Sequence, residues 1–302
     1  MQVLHHLEAI PESLRCGALT IGNFDGVHLG HASIIGRLVA RAAEVGGPAV
    51  LFTFDPHPVQ VLRPWQAPPP LTATARKADL LAELGVDAVV AYPTDAAFLQ
   101  WEAREFFDRI VRGALGARAI VEGSNFFFGR NRQGNVDLLR QWCDEDQIAL
   151  EIVEPVVVGD QVVSSSRVRA LVSEGAVEDA GRLLTRPYRI RGKVIHGAGR
   201  GARLGYPTAN LGSVDTLLPA EGIYAGRASL EGSVWPAAIS LGPNPTFDEG
   251  GLKIEAHLLD FQGDLYERTI EVDFLARLRN IRKFDGVEEL MAEMQRDMAA
   301  TR

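Results

Sequence analysis

An α/β domain followed by a small antiparallel β-barrel with a terminal helix is the fold class this sequence predicts. Two observations carry that reading. From about residue 17 to 155, short apolar runs alternate with helical patterns, the signature of βαβ units and a doubly wound parallel sheet. After about residue 185 the pattern changes to strands separated by Gly and Pro turns. That shift divides the chain into an expected first domain over 1–185 and a second over 186–302, and 302 residues is a length that suits two ordinary domains.

The elements follow in order. "CGALTIG", "GPAVLFTFD", "VDAVVAYP" and "ARAIVEG" are short, β-branched and apolar, as strands covered on both faces should be. Between them "HASIIGRLVARAAEVG" and "WEAREFFDRIVRGALG" carry helical periodicity. Ligands on such sheets bind beyond the carboxyl ends of the strands, so residues 22–31, 55–58 and 123–130 are expected to converge. "VEPVVVGDQVV" predicts a hairpin turning at Gly159-Asp160, and "SSSRVRALVSEGAVEDAGRLLTRP" a helical pair ending near Pro187. The barrel strands are expected in "YRIRGKVIHG", "GIYAGRASL", "SVWPAAISLG", "LKIEAHLLDF" and "RTIEVDFLARL". From Gly286 onward, Val287, Leu290, Met291, Met294 and Met298 fall at helical spacing, which predicts a final helix with a core-facing stripe.

Composition narrows the function classes. No apolar run approaches the ~20 residues that cross a bilayer, and "MQVLHHLEAIPESLRCG" lacks the basic-then-apolar layout of a secretory signal. Cys16 and Cys143 make neither a disulfide framework nor a cysteine zinc site and are expected to be packing residues. A cytoplasmic protein with no membrane partner is the expectation. The net charge of −8 argues against a general nucleic-acid binder.

The most informative stretch is "TIGNFDGVHLGH", residues 20–31. A helix opening there exposes unpaired N–H groups with a partial positive charge. Gly22, Gly26 and Gly30 let backbone approach a ligand, and His28 and His31 can donate to phosphate oxygens. Capping by the histidines and metal ligation compete with phosphate binding at this stage, although no third ligand lies nearby in sequence. "FDPHP" with His57 reads alone as a stiff turn, "SSSRVR" as a serine N-cap with surface arginines, and Asn125 as a turn residue.

Taken together these stretches say more. "HLGH" fits the His-x-Gly-His nucleotidylyltransferases. "GNFDGVHLGH", "FTFDPHP", "VEGSNFFFG" and "SSSRVR" resemble, in order and spacing, the FMN adenylyltransferase module of the bacterial bifunctional riboflavin kinase/FAD synthetases. The resemblance implies that FMN attacks the α-phosphorus of ATP, giving FAD and pyrophosphate, with His28 and His31 stabilising charge on the phosphates. It implies nucleotide and FMN contacts from Gly22, Asn23, Phe24, Asp25, Gly26, Gly30, His57 and Asn125. Ser165, Ser166 and Arg169 would hold ATP phosphates; Ser166 stands where that family usually has Thr, and both carry a hydroxyl.

The second half offers "GKVIHGAGRGARLGYPTANL". "GAGRGA" is not a dinucleotide fingerprint, because "RLGYPTAN" follows where a helix should open, and no Walker A sequence is present. The Gly/Arg loop with Gly199, Arg200, Gly201 and Gly205 can wrap phosphates, and Thr208 and Asn210 offer the oxygen ligands that Mg²⁺ favours; a plain Pro-terminated loop is the competing reading. In "LKIEAHLLDF", Leu252, Ile254, Ala256 and Leu258 share one face and Glu255 and His257 the other, so Glu255 alone reads as a solvated acid. "PTAN", "AEGIYAG", "SLGPNPTF" and "IEAHLLDFQGDLY" resemble riboflavin kinase. That resemblance implies ATP and flavin contacts from Gly199, Arg200, Gly201, Gly205, Pro207, Thr208, Asn210 and Arg279, with Thr208 and Asn210 also on Mg²⁺. It makes Glu255 the base for the riboflavin 5′-hydroxyl, and implies riboflavin, FMN and ATP as partners, with Mg²⁺ in both steps. Ile281 stands where that family commonly has an acidic residue, which bears on loop geometry and flavin affinity. Two other readings stand beside this one: an adenylyltransferase with a degenerate, flavin-sensing kinase domain, and a non-enzymatic barrel that stores flavin or binds RNA through "RPYRIRGK".

Overall fold

The computed structural model describes residues 1–197, 199–244 and 249–302, and the side chains of Arg200, Arg203, Asn244 and Glu249 lie outside that description. The expected motif "SLGPNPTF" therefore falls partly outside the described residues. The chain divides into two compact units, Met1–Pro68 with Thr74–Ser164, and Pro69–Ala73 with Ser165–Arg302.

The first unit is built on six parallel strands: β1 (Gln2–Leu4), β2 (Ala18–Ile21), β3 (Ala49–Asp55), β4 (Ala88–Pro93), β5 (Ala119–Gly123) and β6 (Ala149–Val153). Their spatial order is β1-β4-β3-β2-β5-β6, so the direction of winding reverses between β2 and β5. Every residue of β2 is buried, because helices cover both faces of the sheet. On one side α1 (Leu29–Val45) and α3 (Thr74–Glu83) set Ile35, Leu38, Leu80 and Leu81 against Leu51, Val89 and Val121. On the other, α4 (Ala103–Phe106, continuing as a π-helix over Phe107–Ala114) and α5 (Val136–Glu145) set Phe106, Phe107, Ile110 and Trp142 against Leu19, Phe52 and Ile120. A short α2 (Pro58–Leu62) follows β3, and the predicted hairpin forms as β7 (Val157–Val158) and β8 (Gln161–Val162).

In the second unit α6 (Ser165–Glu174) and α7 (Val177–Leu183) accompany a closed barrel of six strands: β9 (Tyr188–Ile195), β10 (Ala209–Gly212), β11 (Gly222–Leu230), β12 (Ser233–Asn244), β13 (Glu249–Leu258) and β14 (Thr269–Arg279). The strands run antiparallel, and β9 pairs with both β10 and β14 to close the ring. Its burial alternates along β9, with Tyr188, Ile190 and Val194 inside. The buried Asp273 receives Arg189 Nη2 at 2.9 Å and Arg227 Nε at 2.6 Å, which ties β9, β11 and β14 together. A single turn, α8 (Arg200–Arg203), interrupts the Gly/Arg loop, where the sequence reading placed no helix. In the terminal helix α9 (Val287–Thr301), Leu290, Met291, Met294 and Met298 are half-buried as expected, while Val287 is exposed. Its buried residue is Asp297, which the apolar periodicity did not pick out. Cys143 is buried, which pushes its thiol up to about 12, as a packing cysteine should be.

Candidate active sites

The first site forms where β2 ends, at the strand pair where the sheet reverses its winding. Leu19↔Ile120 is the last β2–β5 pair, and the chain beyond it turns through Gly22–Val27 into α1. Phe24 (φ 48°) and Val27 (φ 42°) occupy the left-handed region without being glycines, and both are buried. Strain of that kind persists only where surrounding packing enforces it. His28 is the N-cap of α1, and its Nδ1 accepts the His31 N–H at 3.3 Å. The two imidazoles stack with centroids 3.6 Å apart. Gly30 allows this, because a Cβ there would come within 3.2 Å of the His28 ring.

Burial holds His28 at about 4, opposed by its own backbone hydrogen bond and the nearby Asp25. His31 is held well below its ordinary value by burial, and further by His28 and Lys77. Both rings are therefore neutral near pH 7. With Nδ1 occupied as an acceptor, the His28 proton sits on Nε2, which leaves an N–H to donate. Among the described residues, His31 Nδ1 and Asn23 Oδ1 are buried with no hydrogen-bond partner. Buried orphans of this kind ask for a ligand or water.

The other predicted residues of this site are placed as follows. Asp25 is buried beside the histidines. His57 caps α2, its Nδ1 accepting from Val59 N–H at 3.1 Å, directly after the cis Asp55-Pro56 bond. Asn125 is exposed in the turn after β5. Ser165 and Ser166 open α6, and Arg169 Nε donates to the Pro69 carbonyl at 3.1 Å; all three belong to the second compact unit. Lys77 of α3 was not anticipated. It donates to the Asn23 carbonyl at 3.0 Å, and no local motif marks it, because only the folding of α3 brings it there.

The second site gathers the Gly/Arg loop, "PTAN" and β13. Asn210 of β10 lies directly opposite Glu255 of β13, so their side chains share a face across the ladder. Glu255 is half-buried, while Ile254 and Ala256 point into the barrel, as the alternation predicted; Leu252, expected on that inner face, is exposed. The loop closes tightly on these residues: a Cβ on Gly201 would sit 3.3 Å from Thr208 Oγ1, and one on Gly197 would strike the Asn210 amide. Gly199 (φ 66°) and Gly205 (φ 86°) need the left-handed region, and Tyr206 N–H returns to the Gly201 carbonyl at 2.7 Å. His257 Nδ1 meets the Pro207 carbonyl at 2.7 Å, which pins the start of "PTAN" to β13. Arg279 makes a two-pronged contact with Asp297, at 3.0 and 2.7 Å, so α9 fixes the end of β14. Ile281 fills the space that a side chain at Gly242 would need, an apolar contact that an acid could not make.

Comparison with known proteins decides the family. A family model for FAD synthetase matches residues 10–167 and one for riboflavin kinase matches residues 184–302. A bifunctional riboflavin kinase/FMN adenylyltransferase of Pseudomonas fluorescens is 38% identical over 300 residues, covering 99% of this chain and 95% of the relative. The chain belongs to the bifunctional riboflavin kinase/FMN adenylyltransferase family. The Bacillus subtilis member is 34% identical, with 97% of this chain and 93% of the relative covered. A solved Streptococcus pneumoniae structure described as a macrolide-efflux protein superposes with a TM-score of 0.89 at 31% identity, covering 99% of this chain and 98% of that one. That likeness serves here for the fold; among the described residues no helix is long and apolar enough to cross a membrane. In this family setting, the loop at His28 and His31 lies within the FAD synthetase match, and Thr208, Asn210 and Glu255 lie within the riboflavin kinase match.

Proposed function

We propose that the chain converts riboflavin and ATP to FMN at the barrel site and then FMN and ATP to FAD at the parallel-sheet site, with the functional boundary at 185/186. The observation that carries this reading is the pair of separate constellations, the stacked His28–His31 at a helix start and Asn210 facing Glu255 across a ladder. At the first site an FMN phosphate oxygen forms a bond to the α-phosphorus of ATP, and the bond to the β-phosphate breaks, releasing pyrophosphate. Little covalent work is needed from protein; donors placed where charge develops do most of it. The His28 Nε2–H, the loop N–H groups and the orphaned Asn23 and His31 atoms are such donors and acceptors. Asn125 is a nucleotide or FMN contact in our reading, and Ser165, Ser166 and Arg169 of the second unit hold ATP phosphates.

At the second site Glu255 takes the proton from the riboflavin 5′-hydroxyl as that oxygen attacks the γ-phosphorus, and ADP leaves. Thr208 and Asn210 supply neutral oxygens beside one carboxylate, a donor set that fits Mg²⁺ only when nucleotide phosphates complete it. Among the described residues there is no cluster of His, Cys, Asp and Glu that would suit a tightly held metal. Bound Mg²⁺ would neutralise phosphate charge in both reactions. Arg279, held by Asp297, would present its loop to nucleotide or flavin. A cytoplasmic location follows from the need for ATP.

Purified protein given riboflavin, ATP and Mg²⁺ should form FMN and then FAD, followed by chromatography. Glu255→Ala should lower riboflavin phosphorylation by ~10²–10⁴-fold, the usual worth of a general base, and leave FMN adenylylation intact. Replacing His28 and His31 should do the reverse. Equal loss of both steps in either variant would refute the two-site assignment.

A further inference from the structure

Lys77 lies in the first turn of α3, outside every motif of the chain, yet it reaches the adenylyl-transfer loop. Its Nζ donates to the Asn23 carbonyl at 3.0 Å, and Thr53 Oγ1 from β3 approaches the same oxygen at 3.4 Å. That carbonyl belongs to the peptide leading into Phe24, one of the loop's left-handed residues. In a planar trans peptide the C=O and the following N–H point in opposite directions. Gripping the Asn23 oxygen therefore also fixes where the Phe24 N–H is aimed. The surroundings of this ammonium are charged and specific. Burial lowers the Lys77 ammonium below its ordinary value, and Asp25 of the loop and Asp55 at the end of β3 oppose that by favouring its positive charge. His31, in turn, is faced by the stacked His28, by the Phe24 ring at 4.9 Å and by the Lys77 charge.

We propose that Lys77 is a positioning residue for adenylyl transfer, acting through the Asn23–Phe24 peptide and through a positive charge set beside His31. The inference rests on the reading of the first site as the adenylylating one. Two consequences follow for the bound state. The loop N–H groups keep their direction before any phosphate arrives, so no reorganisation is needed when charge develops. A neighbouring cation also opposes protonation of His31, which keeps that imidazole neutral, able to accept as well as donate.

The test uses the full-length protein and follows FMN adenylylation across the acid range. Lys77→Met should lower kcat by ~10²-fold, the scale of a misplaced catalytic group, with KM for FMN changed far less. It should also move the acid limb of the rate profile to higher pH, because His31 loses an opposing charge and protonates more readily. Lys77→Arg, which keeps the charge, should return the acid limb to its wild-type position. Riboflavin phosphorylation by the same preparations should be unchanged. Wild-type kcat in Lys77→Met, or a fall in kcat with the acid limb unmoved, would overturn the proposal. If Lys77→Met does not fold, Lys77→Gln decides, since it retains a donor for Asn23 without charge: an unmoved acid limb there is equally fatal. Absence of FAD from the wild-type protein itself would instead strike at the function of the site.

Discussion

Glu122 shows how one side chain can matter without belonging to a motif. It lies on β5, fully buried, and its Oε1 accepts the Ile21 N–H at 2.6 Å just past the last β2–β5 pair. A side chain thus takes a donor that a continuing ladder would have used, and the two strands part where ligands enter such sheets. Burial holds this carboxyl well above the ordinary carboxylate range, with the Ile21 bond pulling the other way. The folded state therefore keeps a proton that the unfolded chain gives up above its ordinary value of about 4.3. The stability contribution is complete below that value and declines as pH rises toward the raised one. Glu122→Gln, which still accepts from Ile21, should match wild type in denaturation midpoint near pH about 4 and exceed it in mildly alkaline buffer. Equal midpoints at both ends would show the carboxyl to be ionised in the fold. At this scale residue type and spacing single out His28, His31, Thr208 and Asn210, and the fold stacks the two histidines and sets Asn210 opposite Glu255. The sequence was mute on Glu122, Lys77 and Asp297, whose roles come from partners far along the chain.

Helix α1 joins stability to chemistry in one residue. His28 caps it through Nδ1, which leaves Nε2 outside the cap, so the capping and phosphate-binding alternatives raised by the sequence are both compatible with one ring. The two roles can be separated. Asn at position 28 keeps a capping oxygen, whereas Ala keeps nothing; loss of a cap costs about 1 kcal/mol. His28→Asn should retain the wild-type denaturation midpoint and His28→Ala should fall below it, while both lose adenylyl transfer by ~10²-fold, the cost of one such donor. A His28→Asn enzyme that adenylylates FMN at full rate would leave His28 a cap alone. Among the other elements, β2 to β5 were legible because strands covered on both faces are unbroken apolar runs. The edge strands β1 and β6 were not: Gln2–Leu4 is short and exposed, and "ALEIV" carries a charge in its middle. The one-turn α8 escaped because four residues are too few for a helical period to show.

For the whole molecule, Glu255 lies in one compact unit and His28 and His31 lie in the other. A protein broken at Glu255 and a protein broken at the histidines each keep one intact site. Mixed in one vessel with riboflavin, ATP and Mg²⁺, they should make FAD that neither makes alone, as FMN passes from one molecule to the other. A mixture that stops at FMN would mean that the intermediate is handed on only within a single chain. The composition shift near residue 185 lies just before β9, which opens at Tyr188. Helices α6 and α7 cluster with the barrel, and so does the short segment Pro69–Ala73. Pro69 receives Arg169 Nε and Pro70 receives Leu217 N–H, contacts that nothing in "APPPL" announces. That segment has a practical consequence for anyone who would split the gene. Cleavage after Ser164 leaves the first unit whole within 1–164, but a fragment begun at Ser165 arrives without Pro69–Ala73, a strap synthesised long before it.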